Sequence, residues 1–303
     1  MIIYQSVLNT KSLFATDYIY HTRKSMNKQV LQFIIEENNP TGIIECSVDD
    51  WFGISYKIPR NKLREASGLD YINNTGVYIL FGDDENTAEK IAYIGEAEDI
   101  YSRLYQHNKN KDFWNECVVF VSKDNSLNKA HIKYIEHELY EVGKKANRCI
   151  IKNESNPTKS SLSNADEIRA EKFISKIKII TNMFGYKLFI QLVNETKEVD
   201  KTLHLTNNGI EYAKGMITDE GFVVLKGSKI KEGIYDSLSK SLYGFCEKER
   251  NSSDIVDNVY INDHLFSSPS MAAIAILGRN ANGYTEWKNK DNISLKKLIN
   301  GGE

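Results

Sequence analysis

The sequence predicts an α+β protein whose central part has the element order β-β-α-β-α. Three mainly apolar segments, at 76–81, 91–95 and 116–122, are typical of the buried strands of a small three-stranded sheet, and the first of them is a continuous apolar run. A polar, turn-like segment joins the first two runs, which indicates a hairpin. Amphipathic segments follow the second and third runs. The later one has an apolar stripe at helical spacing, Ile132, Ile135, Leu139 and Val142.

The chain of 303 residues is long enough for two or three domains. We expect an N-terminal lead-in with a β-hairpin over residues 1–70, of which 1–27 are loosely attached. The β-β-α-β-α domain takes 71–157. A linker and an amphipathic helix take 158–201, and a separate C-terminal α+β accessory domain takes 202–303.

Local signals within these regions predict single elements. Residues 28–36 fit a strand or a short helix, and the two apolar patches around Asp49 and Asp50 predict a hairpin. Pro59 is expected to begin a short helix, and Ser126 to cap the helix that carries the apolar stripe. In the linker helix we expect four residues to face the core, namely Ile168, Phe173, Ile177 and Ile180.

Composition excludes several classes of protein. The formal net charge of −2 gives no overall signal for binding a polyanion. The four cysteines are scattered without a CxxC pair, so neither a zinc finger nor a disulfide framework is indicated. No apolar run is long enough for a membrane span, and the N-terminus does not resemble a signal peptide, so we expect a cytoplasmic protein with no membrane partner.

Charge is nevertheless uneven along the central domain. Residues 71–100 carry seven acidic residues and one lysine, whereas residues 101–160 carry eleven basic and seven acidic residues. A bipolar module of this kind is compatible with nucleic acid lying along the two helices and avoiding the acidic hairpin tip.

Five polar side chains of the central domain are candidates for chemistry. Tyr78 and Tyr93 lie on adjacent strands, and we expect them at nearly equivalent heights. Arg103 and His107 are four residues apart on a helix and therefore share a face. Glu136 lies at the edge of the apolar stripe, where a carboxylate pairs with a cation or binds a metal.

This set of side chains suits phosphodiester hydrolysis. A guanidinium such as that of Arg103 neutralises the charge that develops on phosphate in the transition state. A single carboxylate, such as that of Glu136, with phosphate oxygens and waters is a common way to hold Mg²⁺. A phenol with a pKa of about 10 is a poor base at neutral pH, so His107, which titrates more easily, is expected to act with the tyrosines.

The same residues resemble the GIY-YIG nuclease family. Gly76-Val77-Tyr78 matches the first motif of that family and Tyr93-Ile94-Gly95 the second. Arg103 follows the YIG tyrosine by ten residues, as in the family, with His107 four residues further on and Glu136 on the later helix. The resemblance covers roughly residues 75–157.

The resemblance implies a Mg²⁺-dependent DNA endonuclease that uses one metal ion, Mg²⁺ or Mn²⁺. Tyr78 and Tyr93 would activate or position water, Arg103 would stabilise the transition state, and Glu136 would hold the ion. A family asparagine after the glutamate is matched by Asn147 or by Asn153, with Asn153 preferred. An RNA-directed nuclease is an alternative that the same side chains allow, and the oligomeric state is open.

Two features favour a further alternative, a nucleic-acid-binding protein without turnover. Glu96 follows the YIG motif where UvrC-type members often have a lysine, and the hairpin insert is acidic. His131 and His137 do not share a helix face with Glu136, so zinc binding by these three residues is not expected.

The C-terminal third resembles a domain of unknown function that commonly follows GIY-YIG domains in bacterial proteins. The resemblance covers about residues 205–301 and names no activity. Within it, the segment DEG predicts a β-hairpin, and Ser268, Pro269 and Gly278 predict the start and the end of a helix.

Overall fold

A computed structural model describes residues 28–35, 38–85, 89–193 and 201–301. The expectation for residues 1–27 and most of the charged stretch at 193–201 lie outside these ranges. The chain forms two compact units, residues 1–189 and 190–303. The domain boundaries drawn from the sequence remain predictions.

The first unit is built on a seven-stranded sheet. Its strands are β1 (Leu31–Ile35), β2 (Ile44–Val48), β3 (Gly53–Pro59), β4 (Gly76–Asp83), β5 (Lys90–Ala97), β6 (Trp114–Ser122) and β7 (Ile150–Ile151). Their order is β1-β2-β3-β6-β4-β5-β7, and all neighbours are antiparallel except β5 and β7. The predicted α+β class is confirmed. The three predicted strands form the contiguous part β6-β4-β5, and the lead-in strands extend the same sheet beyond β6.

Helices cover both faces of this sheet. They are α1 (Ile100–Asn110), α2 (Lys129–Ala146) and α3 (Asn164–Met183). α2 and α3 pack on one face, and α1 packs on the other. The helix predicted after Pro59 is instead two short 3-10 turns, Arg60–Lys62 and Glu65–Gly68. Among the described residues, no helix is both long and apolar enough to cross a membrane.

The central strand β4 is buried on both faces because helices cover each side. Val77 and Ile79 point towards α2 and α3, while Tyr78 and Leu80 point towards α1. These four side chains are fully buried. Burial of an apolar side chain of this size contributes about 1.5–3 kcal/mol, so the strand that carries Tyr78 is a rigid support.

Helix caps fix where α1 and α2 begin. The Asp99 carboxylate accepts from the Ser102 N–H at 3.0 Å, which places the cap directly before α1. α2 is capped by Asn128, whose side chain accepts from two backbone N–H groups while the His131 side chain accepts from the Asn128 N–H. The predicted cap at Ser126 was wrong, because Ser126 belongs to a turn closed by Asp124 and leaves the capping geometry to Asn128.

The linker helix α3 agrees with its predicted stripe at three of four positions. Phe173, Ile177 and Ile180 are buried, and Ser163 caps the helix. Ile168 is 60% exposed, so its prediction as a core residue was wrong. It lies on the solvent side of the helix turn that precedes Phe173.

The second unit has its own sheet and core. Its five-stranded sheet has the order β13-β10-β9-β8-β14, and β11 and β12 form a separate hairpin. The strands are β8 (Leu203–Asn207), β9 (Ile210–Thr218), β10 (Gly221–Val224), β11 (Ile255–Val256), β12 (Val259–Tyr260), β13 (His264–Phe266) and β14 (Trp287–Lys288). The helices are α4 (Lys240–Arg250), α5 (Pro269–Leu277), α6 (Gly283–Glu286) and α7 (Leu295–Ile299).

Two predictions for this unit are confirmed. β9 and β10 form the hairpin predicted around the segment DEG. α5 begins after its cap Ser268 with Pro269 at the first position and ends at Gly278, which has a φ of 65°. Gly278 is a left-handed helix end that glycine adopts without strain.

A histidine in the second unit lies between two carboxylates. His264 Nδ1 lies 3.1 Å from Asp254, and Nε2 lies 3.1 Å from Glu249. The Glu249 contact is an ion pair without the alignment of a good hydrogen bond. Burial opposes the charged imidazole, but the two carboxylates outweigh it and raise the pKa of His264 to about 9. His264 is therefore a cation that joins the end of α4 to β13.

Candidate active site

The two motif tyrosines lie on the α1 side of the sheet, on the neighbouring strands β4 and β5. Tyr78 is paired with Gly95, and Tyr93 is paired with Leu80, so the tyrosines are diagonal neighbours rather than at equal height. Their ring centroids are 6.3 Å apart, with 23° between the planes. Diagonal pairs on one sheet face are within reach of aromatic side chains. Tyr78 is fully buried, whereas Tyr93 is partly exposed.

The absence of a side chain at Gly95 makes room for Tyr78. A Cβ atom built on Gly95 would overlap the Tyr78 ring and hydroxyl. The glycine of the YIG sequence is therefore needed for a close approach, because any larger residue would displace the phenol.

His107 completes the buried side of the site from α1. Leu104 and Ile100 anchor the same helix in the core, which turns His107 towards the strands. The His107 Nε2 atom lies 2.6 Å from the Tyr78 hydroxyl. Burial first, and then the cations Arg103 and Lys111, lower the pKa of His107 to about 4. A neutral imidazole is therefore available at pH 7 to accept a hydrogen bond from the phenol.

Arg103 interacts with both phenols from the turn of α1 before His107. Partial burial would lower its pKa, but hydrogen bonding to the Tyr78 and Tyr93 side chains outweighs this effect and raises it. Burial, and then the neighbouring Tyr93, raise the pKa of Tyr78, against the opposing effect of Arg103. Tyr78 is thus a neutral hydrogen-bond donor in this protein, held between a cation and a neutral base.

Glu136 approaches the same place from α2. Its carboxylate is half-buried and has no hydrogen bond or ion pair within the described part of the chain. Burial, and then the Glu96 carboxylate, raise its pKa to about 7, while Lys129 and Arg103 act in the opposite direction. A carboxylate that lacks a protein partner in this setting suits a divalent cation, which would neutralise it. Among the described residues no group of three or more His, Cys, Asp or Glu side chains could hold a metal ion, so an ion here would depend on Glu136 together with waters and phosphate oxygens.

The two candidate asparagines occupy different places. Asn147 ends α2 in the left-handed conformation, with a φ of 49°, and so acts as a helix cap. Asn153 accepts from the Ile94 N–H at 3.1 Å and donates to the Ile94 carbonyl at 2.7 Å. These two bonds hold the strand residue between Tyr93 and Gly95. The Asn153 side chain therefore contacts the backbone of the strand that carries the YIG motif.

Glu96 does not stand as a free negative charge beside the site. The Lys129 ammonium lies 2.8 Å from both oxygens of Glu96. Two acids of the hairpin insert are also paired, Asp83 with Lys90 at 2.5 Å and Asp84 with Lys152 at 3.9 Å. The negative charge that the sequence places in this region is thus partly neutralised by lysines.

Sequence reasoning missed two lysines at the site. Lys111 Nζ lies 4.7 Å from the centroid of the Tyr93 ring and 3.0 Å from a Glu154 oxygen. Lys111 is the extended residue that ends α1, and its N–H donates to the His107 carbonyl, so its place beside Tyr93 depends on where the helix ends. Lys129 had no local signal either, because its contact with Glu96 depends on how α2 packs on β5.

The two histidines near Glu136 are engaged elsewhere. His131 belongs to the cap of α2 and lies 3.2 Å from Asp166. His137 Nδ1 lies 2.8 Å from the Pro157 carbonyl oxygen. Both side chains therefore support the packing of the segment that follows α2.

Comparison with models of protein families finds two domains in the chain. The model of the GIY-YIG catalytic domain matches residues 74–174, and the model of a domain of unknown function, DUF4357, matches residues 203–299. The chain has a GIY-YIG domain followed by a DUF4357 domain. Comparison with curated proteins and with solved structures gives no significant match.

The GIY-YIG match contains every candidate site residue, from Tyr78 to Asn153. A GIY-YIG domain is a nuclease-type domain, whose substrates are nucleic acids and which typically uses a divalent metal. The two matches thus confirm the resemblance seen in the sequence and support a domain of the nuclease type.

Proposed function

We propose that this protein is a divalent-metal-dependent GIY-YIG endonuclease that cleaves DNA. The observation that supports this most is the hydrogen-bonded pair of Tyr78 and His107 with Arg103 beside the phenol. Such a cluster is costly to place at the border of an apolar core, so packing alone does not account for it.

In this proposal a proton leaves the attacking water through Tyr78 and His107. As the water oxygen bonds to phosphorus, its proton passes to the Tyr78 oxygen while Tyr78 gives its own proton to His107 Nε2. Tyr78 stays neutral throughout, which its raised pKa requires. His107 is neutral beforehand and can take the proton.

Arg103 and Tyr93 have supporting roles. The Arg103 guanidinium faces the phosphoryl oxygens and stabilises the charge that develops on them as the bond to the leaving oxygen breaks. Tyr93, which is partly exposed, orients the water and the phosphate. Asn153 is a positioning residue, since it holds the strand on which Tyr93 lies.

Glu136 would hold the metal ion, Mg²⁺ or Mn²⁺. When bound, such an ion supplies positive charge near the scissile phosphate and the leaving oxygen. The half-buried carboxylate of Glu136, which forms no hydrogen bond or ion pair with the described residues, supports this assignment. Single-site hydrolysis cuts one strand, so a nick is the expected product on duplex DNA.

The test is incubation of supercoiled plasmid with the full chain and Mg²⁺ or Mn²⁺. The wild type should nick the plasmid, EDTA should stop the reaction, and Glu136→Gln and Arg103→Ala should abolish it. Matched controls are Glu138→Gln, on the same helix but paired with Lys159, and Arg169→Ala, on the surface of α3. Equal nicking by the wild type and both site variants would refute the proposal. RNA of the same sequence, digested in parallel, decides between the two substrates.

A binding protein without turnover is the second candidate. The pairing of Lys129 with Glu96 favours it, because an ammonium held by a carboxylate is less able to stabilise the charge that develops during hydrolysis. Retention of DNA by the wild type with no metal-dependent cleavage of DNA or RNA would support this candidate and exclude the first.

A further inference from the structure

Two lysine–glutamate pairs border the candidate active site, and neither belongs to the motifs. Lys111 pairs with Glu154 at 3.0 Å on the α1 side. Lys129 pairs with Glu96 at 2.8 Å on the α2 side. Each lysine also interacts with a site residue, Lys111 with Tyr93 and Lys129 with Glu136.

The Lys111 pair has its acidic partner on the outside. The Lys111 side chain is only 18% exposed and lies against Tyr93, while the Glu154 side chain is 86% exposed. Lys111 also acts electrostatically on His107. An exposed carboxylate can move into water at little cost, so the ammonium can exchange Glu154 for another anion without leaving the Tyr93 ring.

In the Lys129 pair the lysine is the more exposed partner and the glutamate the more buried one. Here Glu96 is covered, with 12% of its side chain exposed, and the Lys129 side chain is 45% exposed. Glu96 lies three residues after Tyr93 on β5, and Lys129 is the first residue of α2. Glu96 thus holds a flexible lysine at the mouth of the site with its ammonium accessible to solvent.

We propose that Lys111 and Lys129 bind backbone phosphates that neighbour the scissile phosphate, and that Glu154 and Glu96 hold the two ammonium groups in place before substrate arrives. The inference rests on the proposed function, because it concerns the substrate of that site. Lysine binds phosphate as a point charge and needs no fixed fork geometry, which allows it to change partner.

Binding of neighbouring phosphates by the two lysines would give the site a preference for polynucleotides over small phosphodiesters. An ion pair with an exposed carboxylate contributes about 0–1 kcal/mol, so a phosphate can replace Glu154. Lys129 can keep its contact with the covered Glu96 and offer its remaining donor to a phosphate. A small phosphodiester presents no neighbouring phosphates and therefore gains nothing from the two lysines. A polynucleotide presents phosphates on both sides of the cleaved bond and releases counterions when it binds.

The test measures binding without cleavage. Fluorescence anisotropy of a labelled DNA duplex with the full chain in EDTA, over a series of KCl concentrations, gives the affinity and its salt slope. Lys111→Ala and Lys129→Ala should each weaken binding roughly tenfold at 0.1 M salt and reduce the salt slope by about one. Glu154→Gln and Glu96→Gln should tighten binding.

Matched controls come from a third lysine–glutamate pair, Lys159 with Glu138 at 2.6 Å. The Lys159 ammonium lies over the ring of Tyr134, and not over that of Tyr78 or Tyr93. Lys159→Ala and Glu138→Gln should leave affinity and slope unchanged. If the Lys111 and Lys129 variants behave like Lys159→Ala, the inference is refuted.

A second readout separates this inference from the proposed function. In Mg²⁺, the two lysine variants should lose more activity on DNA than on bis(p-nitrophenyl) phosphate, and the excess loss on DNA should appear as a raised KM. Equal losses on both substrates would contradict a role in binding neighbouring phosphates. If the wild type cleaves neither substrate, the nuclease proposal fails, and the anisotropy series still decides whether the lysines bind the backbone.

Discussion

His107 and His264 are both largely covered by protein, yet their surroundings shift the pKa of the two imidazoles in opposite directions. His107 meets a phenol, Arg103 and Lys111, and its pKa is lowered to about 4. His264 meets two carboxylates, and its pKa is raised to about 9. Burial acts the same way on both, so the charges nearby decide the difference. A neutral histidine beside a phenol can take up a proton. A charged histidine between two carboxylates instead stabilises the fold through its ion pairs.

The largest expected effect separates the two histidines by activity. His107→Gln should slow plasmid nicking by about 10²–10⁴-fold, because a neutral proton acceptor is lost. His264→Gln should leave the rate of the folded protein unchanged. Tyr78→Phe should resemble His107→Gln, and the double variant should be no slower than the slower single variant, since both residues act in one step.

Initial nicking rates at saturating Mg²⁺ check this prediction. Circular dichroism first establishes that each variant is folded under the assay conditions. An equal loss of rate in His107→Gln and His264→Gln would remove the distinction between a reactive histidine and a structural one.

The second effect is on stability and its dependence on pH. The pKa of His264 is raised from about 6.5 to about 9, so the folded state binds a proton more tightly than the unfolded state. Its stabilisation is fully present below pH 6.5 and is lost as the pH rises towards 9. The shift corresponds to about 3 kcal/mol. His264→Gln should therefore destabilise the second unit strongly at pH 6 and much less at pH 9.5.

Urea unfolding of the full chain at both pH values measures this difference. Pulse proteolysis, read from the fragments that come from residues 190–303, reports on the second unit alone. His204→Gln is the matched control in the same unit, since His204 forms a more exposed pair with Glu211 at 2.7 Å. It should cost less than about 1 kcal/mol. A destabilisation by His264→Gln that is the same at both pH values would show that His264 does not act through its charge.

The smallest of the three effects concerns the room for Tyr78. Gly95→Ala should push the phenol away from His107, with a cost of about 1–3 kcal/mol from overpacking and a slower nicking rate. Gly68→Ala is the control, because a Cβ at Gly68 meets open space. Urea midpoints and nicking rates of the two variants check the prediction. Equal midpoints and rates would mean that the Tyr78–His107 pair tolerates displacement.

The sequence predicts the positions of the candidate side chains best where these depend on local spacing. Tyr78 and Tyr93 follow from two strands joined by a hairpin, and Arg103 and His107 follow from one helix turn. The pairing of β3 with β6 was beyond reach, because antiparallel strands of high sequence separation carry no local signal for their partner. Lys129 and Glu96 were missed as a pair for the same reason.

The choice between neighbouring cap residues and the register of a hairpin could not be predicted from the sequence either. Ser126 and Asn128 are both good cap residues, and the choice between them depends on the turn that Asp124 closes. The diagonal offset of the tyrosines depends on the register of β4 and β5, which the longer hairpin insert leaves open.

The bonds from Asn153 to Ile94 also concern the edge of the sheet. β7 pairs with β5 only at Ile91 and Ala92, so the strand would otherwise offer an unpaired edge just where Tyr93 lies. The Asn153 amide satisfies the backbone groups of Ile94 in place of a further strand. An exposed edge invites intermolecular strand pairing and aggregation. The Asn153 side chain thus blocks pairing with a β-strand of another protein molecule. The approach to Tyr93 stays open for a nucleic acid, which does not pair with a sheet edge.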